Sequence, residues 1–363
     1  QDAFKKYDKN GLLYEKEEEQ LYCENCKMFL ADRYIIGTCP KCGSEIKGDE
    51  CENCGSLLTI DEVKDTKCAI CGNPTTKKTN KNLYFKLSKF EDEIRKSCEE
   101  HKTLWRDNAV KFTERYLNEG IPDRCVSRVQ KYGVDIPVKG YEDKKLYGWF
   151  ENVWGYVTAS KKIAEERGLD FNDFWKKEKD NKIYLVHAKD NIPFHTVIFP
   201  ILLLGTNDNY KMPDKIVSDE YVNIEGEKLS KSKGNYIPIR HLLDRYSVDT
   251  TRYFLTSNDP ENKDFNFTWE GYINSHNGEL LGKWGNFVNR TLQFINKSFD
   301  GKLSNTIVDE KQENKLKELY DVVGNNIDNG DIKLGIENIF EFISYSNKYF
   351  DENEPWNLAK TDK

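Results

Sequence analysis

The sequence predicts a mixed α/β fold with a cysteine-rich segment and a C-terminal bundle of α-helices. Three observations support this prediction. Residues 21–76 contain four CxxC pairs punctuated by glycine and proline, which is typical of a small metal-stabilised module. From Gly133, short strand-like segments alternate with helical ones, and a polar turn follows the segment Ile183 to His187. From Trp269 onward the apolar residues recur at helical spacing, which predicts packed helices.

Length and composition limit the class of protein. A chain of 363 residues is expected to form two or three domains. The longest apolar run, Val197 to Leu204, is far shorter than the roughly 20 residues that cross a bilayer, and no signal sequence opens the chain. We therefore expect a soluble, cytoplasmic protein. A net charge of -7 disfavours general coating of nucleic acid, but it permits a specific RNA partner that binds a local basic patch.

The N-terminal end of the chain carries its own prediction. Residues 1–20 are expected to contain a helix that ends near Gly11 and a strand that leaves it. The first residue is Gln1, not Met, and it falls within the predicted helix. We therefore expect the chain to be a fragment of a longer protein.

Eight cysteines form the strongest metal signal. They are the pairs Cys23/Cys26, Cys39/Cys42, Cys51/Cys54 and Cys68/Cys71. A CxxC turn presents two sulfurs on one side of a tight knuckle, so two turns complete a closed tetrahedral Zn²⁺ site that has no position for a substrate. We therefore predict two structural zinc ions, because free buried thiols would not repeat one spacing four times. The compact inner pairs are expected to hold one ion and the outer pairs the other, and a sequential pairing stays open.

The other two cysteines and the helical pattern that follows Asn82 indicate no particular function. Cys98 and Cys125 lack CxxC partners and are expected to be small, buried residues. Past Asn82 the pattern is helical, and Ser88 with Glu91 has the spacing of a capping box at the start of a helix.

An aromatic segment and a polar turn predict a ligand pocket. The segment Lys144 to Val157 is predicted to begin as a strand, and it carries Trp149 and Tyr156. Ligands of doubly wound folds bind where the carboxyl ends of strands open into a crevice. The polar turn after Ile183 to His187 therefore predicts that nearby side chains share a pocket wall, with the core of the fold as the alternative location. These side chains are Asp190, Phe194 and His195.

A lysine-rich loop is the stretch that most clearly indicates a particular ligand. A predicted strand at Tyr221 to Ile224 leads into GEKLSKSKGN, residues 226–235, in which three lysines are separated by small or hydroxyl-bearing residues and bounded by glycines. Ammonium groups on a flexible loop suit a triphosphate, and the alternative is a solvated surface loop.

The region beyond the loop is predicted to be helical. Ser247 is expected to cap a helix, and a second long helix is expected around Val322 to Phe350. One apolar stripe is formed by Leu280, Leu281, Trp284, Phe287, Val288 and Leu292.

Taken in order, these motifs resemble one enzyme family. The loop resembles the KMSKS signature of class I aminoacyl-tRNA synthetases, with Leu229 in the Met position. With the cysteine knuckles, the aromatic segment and AKDNIPFHT at residues 188–196, the chain resembles the methionyl-tRNA synthetase family over nearly all of its length. Two features depart from the family. The five histidines include no H-x-G-H motif, which we expect in a preceding N-terminal part, and ENVWG at residues 151–155 differs from the usual acidic residue followed by Ala and Pro or Thr.

The resemblance implies an architecture. It is a partial Rossmann-type (HUP-like) class I synthetase catalytic domain with a zinc-knuckle connective-peptide insertion and a C-terminal α-helical anticodon-binding bundle. The implied domains are the exit of the first Rossmann half at 1–20, the connective peptide at 21–130 with zinc sites at 21–76, the second Rossmann half at 131–212, the KMSKS loop and stem-contact region at 213–268, and the anticodon-binding domain at 269–363.

The resemblance also implies a reaction and its residues. The reaction is activation of L-methionine by ATP with Mg²⁺, followed by transfer to tRNA(Met). The implied residues are Lys228 and Lys231 for catalysis; Lys228, Ser230, Lys231, Ser232 and Asp190 for ATP; Trp149, Tyr156, Asp190, Phe194 and His195 for methionine; and Asn286, Arg290 and Trp356 for the anticodon. We expect the 363 residues alone to fold around zinc but to show little or no activation. The alternatives are a synthetase of the Leu/Ile/Val type and a non-catalytic zinc-ribbon RNA-binding module.

Overall fold

The computed structural model describes residues 1–30, 34–48, 58, 62–130, 132–231, 234–303 and 309–361. Cys51, Cys54 and Ser232, three residues of the predicted sites, lie outside the described residues. The chain divides into two compact units. Unit 1 comprises Gln1–Leu185 and Ile192–Ile216, and unit 2 comprises Val186–Asn191 and Val217–Lys363.

Unit 1 combines antiparallel strands with helices. Its strands are β1 (Leu13–Cys23), β2 (Met28–Phe29), β3 (Ile35–Thr38), β4 (Glu45–Lys47), β5 (Lys64–Cys68), β6 (Thr76–Phe85), β7 (Arg124–Cys125), β8 (Ser127–Arg128) and β9 (Lys145–Leu146). Its helices are α1 (Asp2–Lys9), α2 (Glu91–His101), α3 (Asp107–Glu119), α4 (Gly148–Glu151), α5 (Trp154–Arg167), α6 (Asn172–Trp175) and α7 (Phe199–Gly205), with a 3₁₀ turn at Leu87–Phe90 and a π-helix at Phe194–Ile198.

One long antiparallel ladder organises the cysteine-rich module. Strands β1 and β6 pair from Leu13 opposite Phe85 to Tyr22 opposite Thr76. They form the centre of a four-stranded sheet in the order β2-β1-β6-β7, while β4, β3 and β5 form a separate three-stranded sheet. The ladder therefore brings the end of β1, which carries Cys23, beside the start of β6.

The core of unit 1 lies between α1, β6 and α7. Tyr7 is fully buried, donates its hydroxyl hydrogen to the carbonyl oxygen of Leu202 (2.9 Å) and accepts a hydrogen bond from Trp154 Nε1 (3.1 Å). A Cβ at Gly205 would lie 3.2 Å from the Tyr7 ring and 3.3 Å from the Phe85 ring. The nearest atom would be Leu12 Cδ1 at 3.0 Å, so α7 approaches this part of the core closely, and a larger residue would push these side chains back by a few tenths of an ångström. The predicted helix and strand at residues 1–20 are confirmed as α1 and β1.

The aromatic segment at Lys144 to Val157 begins as a strand, β9, as predicted, and the rest of the segment is mainly helical. Phe150, Val153 and Val157 are buried at spacings of three and four residues, which is the period of a helix face. The high β-propensity of the aromatic residues concealed that period, and tertiary packing overrides the propensity here.

The predicted capping box at Ser88 is wrong. Ser88 lies in the 3₁₀ turn before α2, and both its backbone N–H and its hydroxyl donate to Asp123 Oδ1, at 3.1 and 2.7 Å. Glu91 instead accepts from the backbone N–H of Ile121 (3.3 Å). An acidic residue distant in sequence has replaced the local cap.

Unit 2 is a small sheet followed by helices. Its strands are β12 (Val222–Ile224), β13 (Glu227–Lys228) and β14 (Phe265–Phe267). Two further strands, β10 (Tyr184–Ala188) and β11 (Lys215–Asp219), pair with each other, and each contains residues of both units. Its helices are α8 (Ile239–Leu243), α9 (Val248–Ser257), α10 (Trp269–Asn274), α11 (Asn286–Phe299), α12 (Glu310–Asn329), α13 (Ile332–Glu352) and α14 (Pro355–Thr361), with a 3₁₀ turn at Lys189–Asn191 and a π-helix at Ser275–Gly285.

The helices of unit 2 match the sequence predictions in part. Ser247 caps α9 as predicted, because its Oγ accepts from the N–H of Thr250 (3.1 Å). The predicted helix at Val322 to Phe350 is two helices, α12 and α13, which are separated at Gly330 with φ +78°. A glycine in the left-handed conformation ends a helix, whereas the apolar period continues across the break.

The predicted apolar stripe of the C-terminal region is only partly covered. Leu281, Trp284 and Leu292 are 54%, 48% and 54% exposed. In α11, which the structure describes throughout, every side chain is at least partly exposed. Over the described residues, no helix is at once long and apolar enough to traverse a membrane.

Candidate functional site

Four cysteines of the outer CxxC pairs converge in unit 1. The Sγ atoms of Cys23, Cys26, Cys68 and Cys71 all lie within 4.8 Å of one another. Cys23 and Cys71 are separated by 3.4 Å between sulfurs, and Cys26 and Cys68 by 3.9 Å. The two outer pairs therefore lie together, as the nested pairing requires.

The turns that present these sulfurs follow one pattern. At Cys68, the backbone N–H donates to the carbonyl oxygen of Asn73 (2.9 Å), and the N–H of Gly72 donates to the carbonyl oxygen of Cys68 (2.8 Å). Gly72 has φ +74°, a conformation that glycine adopts without strain. At the other pair, Lys27 with φ +53° occupies the corresponding position, and the N–H of Cys26 donates to Cys23 Sγ (3.3 Å). Local turn chemistry thus aims all four sulfurs inward.

The four sulfurs fit a zinc ion. Zn–S bonds of about 2.3 Å in a tetrahedron place sulfurs about 3.8 Å apart, close to the two separations above. The N–H of Asn73 lowers the pKa of Cys71 to about 6, whereas the hydrogen bond that the Cys26 thiol donates to Cys71 raises the pKa of Cys26 to about 12. One thiolate therefore disfavours the next unless a cation neutralises them. The cluster could bind one zinc ion.

The inner CxxC pairs are described only at Cys39 and Cys42. Cys39 is buried, its N–H donates to the carbonyl oxygen of Ser44 (2.9 Å), and the N–H of Gly43 donates back to Cys39 (3.0 Å). Gly43 has φ +76°, so this turn repeats the geometry of the Cys68 turn. Because Cys51 and Cys54 lie outside the described residues, the second zinc site stays a prediction.

Four residues of the predicted methionine pocket come together in unit 1 as two contacting pairs. Tyr156 on α5 is hydrogen-bonded through its hydroxyl to His195 Nε2 (2.9 Å), and Trp149 on α4 has its ring centroid 6.2 Å from that of Phe194. Phe194 and His195 open the π-helix at Phe194–Ile198, a rare helix type that is frequently found at functional sites.

The exposed fractions of these side chains distinguish the buried floor of the predicted pocket from its open rim. His195 is 4% exposed, whereas Tyr156 and Trp149 are 44% and 57% exposed. An open aromatic wall over a buried polar imidazole can hold an apolar ligand on the rings and orient it through the hydroxyl. The fifth predicted residue, Asp190, is exposed and belongs to the 3₁₀ turn of unit 2.

The lysine loop follows strand β12 through a tight turn. Glu225 and Gly226 have φ +50° and +85°, as in the two-residue hairpin that joins β12 to β13. The backbone N–H of Gly226 donates to Asn266 Oδ1 (2.7 Å), and Glu225 Oε1 accepts from the N–H of Trp269 (3.0 Å). Residues of β14 and α10 therefore fix the base of the loop.

The loop itself is anchored by Asn235. The N–H of Ser230 donates to the carbonyl oxygen of Asn235 (2.8 Å), and the Asn235 side-chain amide donates to the carbonyl oxygen of Lys228 (3.1 Å). Lys228 and Lys231 are exposed. Two ammonium groups are thus presented to solvent on a backbone that is closed at both ends.

The predicted anticodon residues lie in the C-terminal helices. The guanidinium of Arg290 donates to Asp351 Oδ1 (2.9 Å) and to the carbonyl oxygen of Asn347 (2.6 Å), and it lies 4.5 Å above the Phe350 ring. Trp356 is 41% exposed, with its ring centroid 6.1 Å from that of Phe350. Asn286 is exposed at the start of α11. Arg290 therefore has a structural role in attaching α11 to α13.

With this geometry in place, comparisons with known proteins identify the family. The sequence pattern of the family described as tRNA synthetases class I (M) matches residues 1–292. The chain belongs to this family. Its fold is accordingly the class I synthetase fold, mixed α/β with a C-terminal helical region, as the sequence predicted.

Curated relatives in the family are similar over nearly the whole chain. Methionine–tRNA ligase 1 of Alkaliphilus oremlandii (strain OhILAs) is 46% identical over 353 residues, which are 97% of this chain and 65% of that protein. Methionine–tRNA ligase of Bacillus mycoides (strain KBAB4) is 46% identical over 364 aligned positions, which are 100% of this chain and 66% of that protein. The chain thus spans about two thirds of the length of these class I synthetases.

A solved structure supports the fold independently. Mycobacterium tuberculosis methionyl-tRNA synthetase bound by methionyl-adenylate superposes with a TM-score of 0.74 at 20% identity, over 100% of this chain and 66% of that one. The free form of that protein has a TM-score of 0.73.

Sequence reasoning missed the residues that hold the lysine loop. Asn266 lies 40 positions after Gly226 and Trp269 lies 44 positions after Glu225, and they reach these turn residues because β14 pairs in parallel with β12. No motif marks them, since a side-chain amide and a backbone N–H in these roles have no characteristic spacing. The parallel pairing of two three-residue strands is the only signal, and it is too short to recognise in a sequence.

Proposed function

We propose that the protein activates L-methionine with ATP and transfers it to tRNA(Met). The observation that carries this proposal is the 46% identity, over essentially the whole chain, to relatives named methionine–tRNA ligases. The methionyl-adenylate held by the Mycobacterium tuberculosis structure is the intermediate that such a reaction requires. Because the chain spans about two thirds of its relatives, the activity is proposed for the complete gene product.

The first step forms a phosphorus–oxygen bond and breaks another. The methionine carboxylate attacks the α-phosphate of ATP, which is bound with Mg²⁺, and pyrophosphate leaves; methionyl-adenylate remains. No protein nucleophile is needed, so catalysis consists of positioning and charge stabilisation. Lys228 and Lys231 would neutralise the charge that moves onto pyrophosphate, with Ser230, Ser232 and Asp190 as further ATP contacts.

The second step transfers the amino acid. A terminal ribose hydroxyl of tRNA attacks the acyl carbon, and AMP leaves with its phosphate. In this proposal Trp356 stacks on an anticodon base and Asn286 contacts a base edge, since unpaired bases are recognised by stacking and by edge hydrogen bonds. Arg290 would be the third anticodon contact and would offer its guanidinium to a base, in addition to its hydrogen bonds with Asp351 and Asn347.

Methionine selection is assigned to the aromatic wall of unit 1. Trp149 and Phe194 would pack on the thioether side chain, and the hydroxyl of Tyr156, which is hydrogen-bonded to His195, would orient that side chain. The family resemblance adds Asp190 as a proposed methionine contact. Packing alone distinguishes apolar side chains by about 1 to 3 kcal/mol per methylene. Replacement of Tyr156 by Ala should therefore raise the methionine concentration needed for half-maximal rate, and an unchanged value would remove Tyr156 from the pocket.

The cysteines supply a structural metal site. Cys23, Cys26, Cys68 and Cys71 would hold one zinc ion, and Cys39, Cys42, Cys51 and Cys54 a second. A closed shell of four thiolates crosslinks the polypeptide and performs no chemistry on the substrate. We propose the domain roles given by the family resemblance for residues 21–130 and 269–363.

Charging of tRNA tests the proposed function. The complete gene product, incubated with ATP, Mg²⁺ and labelled methionine, is expected to attach methionine to tRNA(Met). Labelled leucine, isoleucine and valine serve as controls and should give little charging of their own tRNAs. Charging of tRNA with one of these in preference to methionine would establish the Leu/Ile/Val alternative, and absence of any charging or activation would favour a non-catalytic RNA-binding module.

A further inference from the structure

We propose that Lys189 is a positioning residue that fixes the Asp190 turn and the base of the lysine loop in one rigid frame. This inference rests on the proposed function, because it concerns how two groups assigned to ATP are held relative to each other. All the residues involved belong to unit 2.

Lys189 makes three interactions at one point. Its Nζ is paired with Glu220, donates to Asp264 Oδ1 (2.9 Å), and lies 4.4 Å from the centroid of the Tyr221 ring. Its side chain is 31% exposed, so two carboxylates and one ring cover most of it. A lysine held from three directions cannot leave its position without breaking charge-assisted hydrogen bonds.

Asp264 connects this point to the sheet. Its Oδ1 also accepts from the backbone N–H of Tyr221 (3.0 Å), and the N–H of Phe265 donates to the carbonyl oxygen of Tyr221 (2.9 Å). Asp264 therefore aligns the start of β14 with the residue before β12. One carboxylate oxygen serves both the lysine and the strand register.

The path from Asp264 to the loop is short. Two residues after Asp264, the side chain of Asn266 binds the N–H of Gly226 (2.7 Å), and the carbonyl oxygen of Phe267 accepts from the N–H of Glu225 (2.9 Å). The three-residue strand β14 thus has Lys189 attached at its beginning and the loop turn attached along its length. Any shift of β14 moves the base of the lysine loop.

The electrostatics keep this attachment charged. The N–H of Tyr221 and then the charge of Lys189 lower the pKa of Asp264. Burial acts to lower the pKa of Lys189, but its hydrogen bonds with Glu220 and Asp264 outweigh burial and raise it. Both groups remain ionised around neutral pH, so the interaction is a permanent part of the frame.

Lys189 can affect the reaction because it adjoins Asp190 in the sequence. Lys189 immediately precedes Asp190, which lies in the same 3₁₀ turn. A loop that acts by placing ammonium groups on a triphosphate loses rate when its base is free to shift, because misplacement of a catalytic group by about 1 Å can cost about 100-fold in rate. Lys189 itself touches no substrate in this account; it acts through Asp190 and the loop.

The test combines local protection of the loop with kinetics. In the complete gene product, Lys189→Met keeps the aliphatic stem and removes the charge, whereas Lys189→Arg keeps the charge. Trypsin cleaves after Lys228 and Lys231, so the cleavage rate in the loop measures how often its backbone opens. We expect about tenfold faster cleavage in Lys189→Met, since a hydrogen bond to a charged group contributes a factor of this order or more, and recovery in Lys189→Arg.

Two controls separate positioning from general destabilisation. Lys317→Met removes an exposed ion pair with Glu313 (2.7 Å) on α12 of the same unit, and it should leave loop cleavage unchanged. Asp264→Asn keeps an oxygen for the N–H of Tyr221 but removes the charge, so its effect should not add to that of Lys189→Met. Equal cleavage rates in wild type and Lys189→Met, or fully additive effects of the two substitutions, would overturn the proposal.

Kinetics distinguish this inference from the proposed function. In methionine-dependent ATP–pyrophosphate exchange, Lys189→Met should lower kcat about tenfold with recovery in Lys189→Arg. Faster cleavage with no exchange activity in the wild-type gene product would refute the proposed function and leave the frame intact. Full exchange activity in Lys189→Met together with wild-type cleavage would refute the frame and leave the proposed function intact.

Discussion

The four-cysteine cluster and the lysine loop were both predicted from short motifs, yet they differ in completeness. At the cluster, sulfur separations of 3.4 and 3.9 Å already match a tetrahedral zinc site. At the loop, Lys228 and Lys231 are exposed, and only the backbone and the base of the loop are held. A metal motif carries its own geometry in each CxxC turn, whereas an anion-binding motif carries charge and depends on other segments for position.

Removal of the metal should have the largest effect on this comparison. Zinc chelation, or Cys68→Ser, is expected to unfold the module around β1 to β6, because binding of a structural zinc ion contributes on the order of 10 kcal/mol or more to folding of such modules. Elemental analysis of zinc and limited proteolysis between residues 21 and 76 measure the outcome.

Cys125→Ser is the matched control for the cysteine substitution. Because Cys125 lies outside the four-cysteine cluster, the Cys125→Ser protein should keep its full zinc content. A Cys68→Ser protein with unchanged zinc content and unchanged protease resistance would show that the cluster is four free thiols.

Substitution of one loop lysine should leave the fold intact and impair the chemistry. Lys231→Ala is expected to slow formation of methionyl-adenylate about 100-fold or more, since removal of one well-placed group that stabilises transition-state charge has an effect of this size. Because Lys231 is exposed, the melting temperature should not change. Single-turnover kinetics measure the step, with Lys302→Ala as an exposed control; equal rates in both variants would exclude Lys231 from catalysis.

The C-terminal helices should separate RNA recognition from structure. Trp356→Ala is expected to weaken tRNA charging about tenfold with adenylate formation unchanged, because stacking of one base on an aromatic ring contributes about 1 to 3 kcal/mol. Arg290→Ala should instead lower the stability of the helices, since it breaks the contacts to Asp351 and Asn347. Charging and thermal unfolding measure the two outcomes, and normal charging by Trp356→Ala would place Trp356 with the packing residues.

Removal of a single hydroxyl should have the smallest effect. Tyr156→Phe loses the hydrogen bond to His195 and keeps the ring, so we expect the methionine KM to rise about fivefold, in line with the modest contribution of a neutral hydrogen bond. A methionine titration of the exchange rate measures it. If the KM for methionine stays constant while the KM for ATP rises, the Tyr156 hydroxyl contributes to ATP binding and not to methionine binding.

The sequence was sufficient wherever function depends on local turns. The CxxC-Gly knuckles, the Glu225-Gly226 turn and the Ser247 cap all follow from residue types a few positions apart. The α/β class and the C-terminal helical region followed from apolar periodicity and from family resemblance.

Features set by distant partners could not be predicted. The aromatic segment is helical because Phe150, Val153 and Val157 bury one face, although its composition favours a strand. Asp123 takes Ser88 away from its expected cap, and Asn266 reaches the lysine loop through parallel strand pairing. In each case a contact between residues 35 to 40 positions apart, or the packing of a core, decides the outcome.

Methionine-dependent ATP–pyrophosphate exchange by the complete gene product is the most direct test of methionine activation. We expect exchange to require ATP and Mg²⁺, and we expect methionine to support it far better than leucine, isoleucine or valine at equal concentration. Exchange that one of those three amino acids supports as well as methionine would refute methionine activation, and so would the absence of exchange with any amino acid in a protein that is folded and loaded with zinc.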